Sequence, residues 1–366
     1  MQVLLLGEYS NVHATLAQGL KKYGVTTTVA SNGDFWKDYP RDIDLSRRGG
    51  MAGKLLFAAK LAHALPRMKG YDIVQIINPM FLELKAKRIW PIYQFLRQHN
   101  RKIIMGAFGM DYYWVHENIT RKPLRYSDFN IGQQLREDAD ALKERKDWIG
   151  TDKEKLNKYV AADCDGIVAG LYEYWAVYSP LFTQKTHFIP FPIRCKMSEN
   201  DIDGTVRRPV KFFIGISKNR SSYKGTDIML AAAQAVMQRY PHSMTLQIAE
   251  GVPFGQYVEM MNNSDVILDQ LYSYTPGMNA LEAMARGIVC IGGGEPENYD
   301  LLNEERLRPI VNVAPNYESV YHAIEQLAAH PERVPELKRQ SIAFVRKHHE
   351  YTHVAHKYLE LYNTLL

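Results

Sequence analysis

Cysteine is scarce: Cys164, Cys195 and Cys290 stand alone with no pair at metal-ligand spacing, so the chain is neither a disulfide scaffold nor a zinc ribbon. Three sparse thiols fit a reducing compartment, and they read as buried structural residues. Long apolar runs are missing as well. No segment approaches the roughly eighteen residues of a membrane span, and the opening MQVLLLGEYS lacks the basic start and apolar length of a secretion signal. The expectation is a cytoplasmic protein. Strong charge of one sign is also lacking, with 45 Lys plus Arg against 40 Asp plus Glu and no clustering of cations with stacking aromatics. That speaks against nucleic acid and leaves anionic small molecules or an acidic membrane surface open.

What is present is alternation. Gln2–Leu6 reads as a buried strand, the loop Gly7 to Asn11 follows, and Val12, Leu16 and Leu20 recur at helical spacing. Val25–Ala30 repeats the strand signal and a polar loop with Trp36 and Tyr39 comes next. Met51–Leu65 then reads as a helix, Asp72–Ile77 as a strand, Phe81–Gln98 as a helix, and Lys102–Met105 and Gly166–Ala169 as strands. The mixed-charge segment Arg121–Lys158 between the last two predicts exposed helices packed on this first domain, because so long a loop without structure is rare. After HFIPFPI (His187–Ile193) the pattern starts afresh. Val210–Ile214 and Met244–Ala249 are strands, Gly225–Arg239 and Gly255–Asn262 helices, Ile310–Val313 a last strand, and Tyr317–Leu366 helical with breaks near Pro331, Pro335 and Tyr351. The fold class is therefore α/β, two tandem doubly wound units, with a first domain over 1–190 and a second over 194–348. Ligands in such sheets sit beyond the carboxyl ends of the strands, so a cleft between the two domains is the expected site.

The stretch Val266–Gly294 carries the densest chemistry. Its apolar run ends at Asp269 and Gln270, Thr275-Pro276 offers a capping hydroxyl and a proline at the first helical position, and Gly277, Met278 and Asn279 would present amides. Free amides and the helix dipole suit phosphate, and Glu282 lies where a carboxylate could take two sugar hydroxyls. Alone, the same stretch is equally an ordinary strand-to-helix junction. The loop after Val210–Ile214 adds Lys218, Arg220 and Lys224, three cations before a helix, which suit a diphosphate or simply lie in water.

Together these motifs resemble the retaining GT-B nucleotide-sugar glycosyltransferases, the broad glycosyl transferases group 1 superfamily. The resemblance covers almost the whole chain and is strongest over Lys211–Gly294. It implies two Rossmann-like domains with IPFPI as linker and a last helix, about residues 350–366, that crosses back to the first domain. It also implies roles. Arg220 and Lys224 match the basic pair that stabilises the leaving diphosphate, with Lys218 competing for the first place. Gly277, Met278 and Asn279 match the phosphate and sugar donors, and Glu282 the ribose carboxylate. A first Glu usual in the family is replaced by Tyr274, which puts the identity of the sugar in doubt. Gly109-Met110-Asp111 resembles the family's Gly-x-Asp, with Phe108 where a His often stands, so Asp111 would reach the acceptor or the transferred sugar; capping a turn is its other reading. Gly7, Glu8, Tyr9, Asn11 and His13 occupy the place of the acceptor-side loop. The implied substrates are a nucleotide-diphosphate sugar and a glycan, lipid-linked or small-molecule acceptor, with no metal and no other cofactor. A sugar-nucleotide epimerase and a catalytically degenerate binding module are the rival readings.

Other features read as bland. Asp42-Ile43-Asp44 and Asp201-Ile202-Asp203 spell a metal pattern but fall in expected loops. Gly292-Gly293-Gly294-Glu295 lacks the spacing of either nucleotide fingerprint and reads as a tight turn beside the donor, with Glu295 a sugar-binding candidate. His348, His349 and His353 read as surface residues. Phe81–Gln98 joins Lys85, Lys87, Arg88 and Arg97 to Trp90, Tyr93 and Phe95, a pattern for peripheral contact with an anionic membrane or, as ordinary amphipathic helices behave, for packing on the sheet.

Overall fold

The computed structural model describes residues 1–217 and 221–366, and the chain divides into two compact units. The first comprises Met1–Glu117, Glu144–Pro192 and Tyr351–Leu366, the second Asn118–Lys143 and Ile193–Glu350.

In the first unit the strands are β1 (Gln2–Leu6), β2 (Thr26–Ser31), β3 (Ile43–Asp44), β4 (Ile73–Ile76) and β5 (Lys102–Ala107). An antiparallel hairpin, β6 (Asn130–Ile131) and β7 (Gln134–Leu135), belongs to the second unit, and β8 (Gly166–Ala169) and β9 (Thr186–Phe188) complete the first. Its parallel sheet runs β3-β2-β1-β4-β5-β8-β9. Leu4, Leu5, Leu6, Ile73, Val74, Ile103 and Ile104 are fully buried, which is why these strands read as unbroken apolar runs: helices cover both faces. The C-terminal helix Tyr351–Leu365 lies on the helix Val12–Lys22 at Gly19, where a Cβ would come within 2.5 Å of the Tyr351 carbonyl oxygen.

The second unit has β10 (Val210–Ile216), β11 (Met244–Glu250), β12 (Val266–Leu268), β13 (Val289–Gly292) and β14 (Val311–Asn312), all parallel in the order β11-β10-β12-β13-β14. Phe212, Ile214, Val266, Leu268, Val289 and Ile291 pack against Met229 and Val236 of the helix Thr226–Arg239 and Ile324 and Leu327 of the helix Tyr317–Ala329.

Several expectations are corrected. Arg121–Lys158 does not form helices throughout: Arg121–Asp138 is irregular except for β6 and β7, and helices begin only at Ala139–Trp148 and Asp152–Asp163. Its first part belongs to the second unit, not the first. Asn130-Ile131-Gly132 is a turn signal, and it outweighs the mixed charge that suggested helix. Ile43–Asp44 is an edge strand rather than a loop. His348 and His349 are buried, not at the surface: the helix Val334–His348 ends against Glu304, whose carboxylate accepts from His348 Nε2 and Lys347 Nζ, both at 2.6 Å. The helix over Phe81–Gln98 narrows to Ala86–His99 and turns its rings inward, with Trp90 stacked on Tyr159 at 4.6 Å and Tyr93 buried, donating to Asp163 at 2.8 Å. Of its two readings, packing on the protein is the one this helix adopts.

Candidate functional site

In the second unit the chain leaves β10 for β11 on one side and then returns to β12 on the other, so the carboxyl ends of β10 and β12 bound a topological switch point. The loop after β10 brings Lys224, the last residue of the turn Ser221–Lys224; Lys218 and Arg220 lie outside the described residues. Leu271 N donates to the Lys224 carbonyl at 2.9 Å, which ties this loop to the exit of β12. The tie needs glycine next: Gly225 has φ +71°, and a Cβ there would meet the Leu271 side chain. Asp269, at the end of β12, is the polar hub. Burial raises its carboxyl above the ordinary carboxylate range, while the Lys224 charge, the Gly277 N–H and the Asn279 side chain pull it back. Gly277 N donates to Asp269 Oδ2 at 3.3 Å, and Tyr257 Oη donates to Asn279 Oδ1 at 3.0 Å. Tyr257 lies across Gly215 of β10, where a Cβ would stand 2.6 Å from its hydroxyl.

The helix beyond this hub is Met278–Met284, with Gly277 at its N-cap and no side-chain cap. Thr275 is therefore not the cap; it is buried in a turn in which Ser273 Oγ donates to the Thr275 carbonyl at 2.5 Å. Gly293 permits that turn, because any side chain there would strike the Ser273 carbonyl. Met278 is buried, Asn279 is exposed, and half-buried Glu282 forms an ion pair with Arg286 at 2.6 Å, one turn on.

Tyr274 is buried, and its hydroxyl accepts from the Arg125 backbone N–H at 2.7 Å. Its ring packs on Tyr126 at 4.8 Å, and the Arg125 guanidinium sits over it at 5.0 Å. Burial pushes the Tyr274 phenol up to about 12, so it stays protonated at neutral pH. Glu295 is committed to the same place: Tyr126 Oη donates to it at 2.6 Å, Arg125 Nη2 at 2.6 Å and Asn312 Nδ2 at 3.1 Å, while Arg125 also pairs with Glu297. Further along, buried Arg136 donates to the Ser222 and Tyr223 carbonyls at 2.7 and 3.3 Å, pairs with Asp138 at 3.1 Å and lies 3.6 Å from the centre of the Tyr272 ring. Tyr223 Oη donates to Asp128 at 2.7 Å. The segment Leu124–Asp138 is thus a strap that fastens both loops of the switch point. Sequence reasoning missed Arg125, Tyr126, Asp128 and Arg136. The signal in the sequence is Arg125-Tyr126 and Arg136 flanking a turn-forming Asn-Ile-Gly, which the mixed charge of the segment masks.

The first unit arranges its candidates around the loops after β1 and β5. Gly7, at φ +87°, abuts Ile77, and a Cβ there would clash. Glu8 is buried and accepts from His13 N at 3.2 Å and Ala14 N at 2.9 Å, capping the helix Val12–Lys22; burial pushes its carboxyl up to about 8. The Tyr9 ring lies against Gly109, where a Cβ would be 3.2 Å away. Asn11 has the left-handed φ of 70°, and its buried Oδ1 makes no hydrogen bond among the described residues. His13 sits inside the fold. Its Nδ1 donates to the Gly7 carbonyl at 2.8 Å, Nε2 accepts from Gln75 at 3.2 Å, and Gln75 accepts from Tyr362 at 2.7 Å. Burial lowers its pKa to about 4 and keeps it neutral. Phe108 packs edge-on against His13 and Phe191. Asp111 is fully buried and accepts from Trp114 N at 2.8 Å and Tyr178 Oη at 2.7 Å, with burial pushing it up to about 7. It caps the helix Tyr112–Thr120, which is the turn-capping reading rather than a group held out to a ligand. The two Asp-x-Asp patterns serve local structure: Asp42 accepts from Val29 N and Asp201 from Ser198 N.

A switch point fastened around a cation and an amide-rich helix start is the layout of an anion-binding α/β domain, and residues 211–360 match a family model described as glycosyl transferase-like. That match spans less than half of the chain, and over its whole length the chain has the GT-B fold. Sucrose-phosphate synthase from Thermosynechococcus elongatus is 14% identical with a TM-score of 0.62, the match covering 100% of this chain and 99% of that one. HepE of Anabaena, solved in complex with UDP-glucose, is 12% identical with a TM-score of 0.61, covering 100% of both chains. WaaG, a glycosyltransferase involved in lipopolysaccharide biosynthesis, is 12% identical with a TM-score of 0.55, covering 97% of this chain and 98% of that one. Among curated proteins, none matches.

Proposed function

We propose that the protein transfers a glycosyl group from a nucleotide-diphosphate sugar to an acceptor hydroxyl, with retention and without a metal ion. The observation that carries this is the convergence of Lys224, Asp269, Gly277 and Asn279 on the switch point of the second unit, inside the stretch that matches the glycosyl transferase-like family. The solved complex of HepE holds UDP-glucose, so a uridine-diphosphate sugar is the donor class to test first.

Breaking the anomeric bond leaves negative charge on the β-phosphate and positive charge on the sugar. Lys224, with Lys218 and Arg220 of the same loop, would neutralise the phosphate, and the Met278–Met284 helix start would add amides and a favourable dipole. Cations would thus do what a metal does elsewhere. Asp269 orients the helix start by accepting from Gly277 and moderates the Lys224 charge. Glu282 can take the ribose hydroxyls on exchanging its Arg286 partner for them. The acceptor oxygen would approach the face the nucleotide leaves, and the departing phosphate oxygen would take its proton. Glycan, lipid-linked and small-molecule acceptors all fit this chemistry.

Tyr274 stands at the sequence position where the resembling enzymes usually carry a Glu, and its hydroxyl is bonded to the Arg125 amide, which favours a second reading, a nucleotide-sugar-binding module without turnover. Incubation with a panel of sugar nucleotides and acceptors, followed by nucleotide release and thermal shift, separates them. Release with an acceptor supports transfer, stabilisation without turnover the module, and interconversion of sugars an epimerase; no stabilisation by any sugar nucleotide refutes all three.

A further inference from the structure

The helix Gly50–Ala64 of the first unit is turned inside out. Met51 is 73% and Leu55 70% exposed, with Leu56 also exposed, while Gly53, Phe57 and Ala64 face the protein. Its cation Lys60 is half-buried and turned to the neighbouring strand end, bonding Asp44 Oδ2 at 2.6 Å and the Ser46 hydroxyl at 3.2 Å. Asp44 extends the tie through Arg41 Nε at 2.8 Å, and Arg41 Nη1 reaches Asp38 at 2.7 Å. That chain of ion pairs fixes the helix to the loop holding Phe35 and Trp36, which are 66% and 61% exposed. The loop follows β2 and the helix follows β3, its parallel neighbour, so both leave the same end of one sheet edge. A helix apolar on most sides belongs in a core, and this one is in water.

Charge decides what covers it. Between Asp44 and Asp72 the chain has Arg47, Arg48, Lys54, Lys60, Arg67 and Lys69 and not one acidic residue. Arg47, Arg48 and Lys54 are exposed beside the apolar stripe. We infer that this helix, with the Phe35–Trp36 loop, docks the protein on an anionic lipid surface, Met51, Leu55 and Leu56 entering the headgroup boundary and the cations pairing with lipid phosphates. The loop's acids Asp34, Asp38 and Asp44 are paired, the first with Lys37 and the other two with Arg41, so the charge left beside the flexible Met and Leu of the helix is positive, which suits a fluid anionic interface. No helix among the described residues is long and apolar enough to span a membrane, so the contact is peripheral. The inference does not depend on the transferase reading.

Sedimentation of the full chain with phosphatidylcholine vesicles, with and without phosphatidylglycerol, tests it. Binding should require the anionic lipid and weaken with salt. The double variant Met51→Glu with Leu55→Glu should lose at least tenfold in vesicle affinity, and Lys54→Glu more than about fivefold, since one cation is lost and an anion is added, with unchanged melting because these positions are exposed. Should the double variant misfold, Lys54→Glu and Arg47→Glu carry the test. Equal binding to neutral and anionic vesicles, full binding by the charge variants, or a lipid-free dimer in sedimentation analysis that the double variant abolishes would overturn it.

Discussion

Replacing Tyr274 by Phe removes one oxygen and leaves everything else in place. The ring still packs on Tyr126 at 4.8 Å and still carries the Arg125 guanidinium at 5.0 Å, while the hydrogen bond from the Arg125 amide at 2.7 Å is lost. A neutral hydrogen bond is worth about 1 kcal/mol, and a partly buried amide left without its acceptor adds to that, giving about 1–2 kcal/mol in all. In a unit of this size each kcal/mol lowers the melting temperature by about 2–4 °C. Differential scanning calorimetry should therefore show the transition stabilised by a sugar nucleotide falling by several degrees. Donor affinity, read by titration calorimetry below that transition, should change less than about threefold, since the hydroxyl is spent on the strap. Tyr274→Ala, which also empties a buried aromatic site, should cost about 3–5 kcal/mol. An unchanged melt in Tyr274→Phe together with a tenfold loss of donor affinity would refute the reasoning and return Tyr274 to the sugar.

Lys224→Ala should weaken binding of a nucleoside diphosphate by roughly 1.5–3 kcal/mol, the range for a charge-assisted hydrogen bond, in isothermal titration. Arg136→Ala takes a buried guanidinium from Asp138 and three carbonyls, and should destabilise the second unit by about 3 kcal/mol in urea melts, with Arg136→Lys recovering only part because a point charge cannot reproduce the planar fork on Tyr272. Glu8 and Asp111 are raised by burial from ordinary values of 4.5 and 3.8 to about 8 and about 7. The folded state holds their protons longer, so their contribution is complete below about pH 4, declines above it and is gone by about pH 8. Glu8→Gln should flatten the fall in urea midpoint between about pH 5 and about pH 8; a pH slope identical to the parent protein would contradict the assignment.

The legible parts of the fold are those written in local pattern. The runs in β1, β4, β5 and β12 are unbroken because both faces of each sheet are covered, and Gly225 and Gly277 mark the loop positions where the chain turns tightly into a helix. Roles that depend on burial were not legible. His13 and Asp111 look like ligand-facing polar residues in sequence, yet one is locked between Gly7 and Gln75 and the other caps a helix under Tyr178, because burial and partners are set by elements far along the chain. Helical periodicity in Phe81–Gln98 and Gly50–Ala64 likewise cannot tell which face meets the sheet, and it was the second helix whose apolar side stayed in water.

By itself, then, the sequence determined the alternation of strands and helices, the two parallel sheets and the Lys-Gly loop and helix start at one switch point, since each follows from spacing within a few residues. Only the tertiary structure decided that Leu124–Asp138, interrupting the sequence of the first unit, folds onto the second and takes Tyr274 and Glu295 as its anchors. Those contacts join residues 149 positions apart for Arg125 and Tyr274 and 169 for Tyr126 and Glu295. No local propensity encodes such a pairing; it exists because burying Tyr274, Tyr126 and Glu295 together gives their side-chain oxygens hydrogen-bond partners.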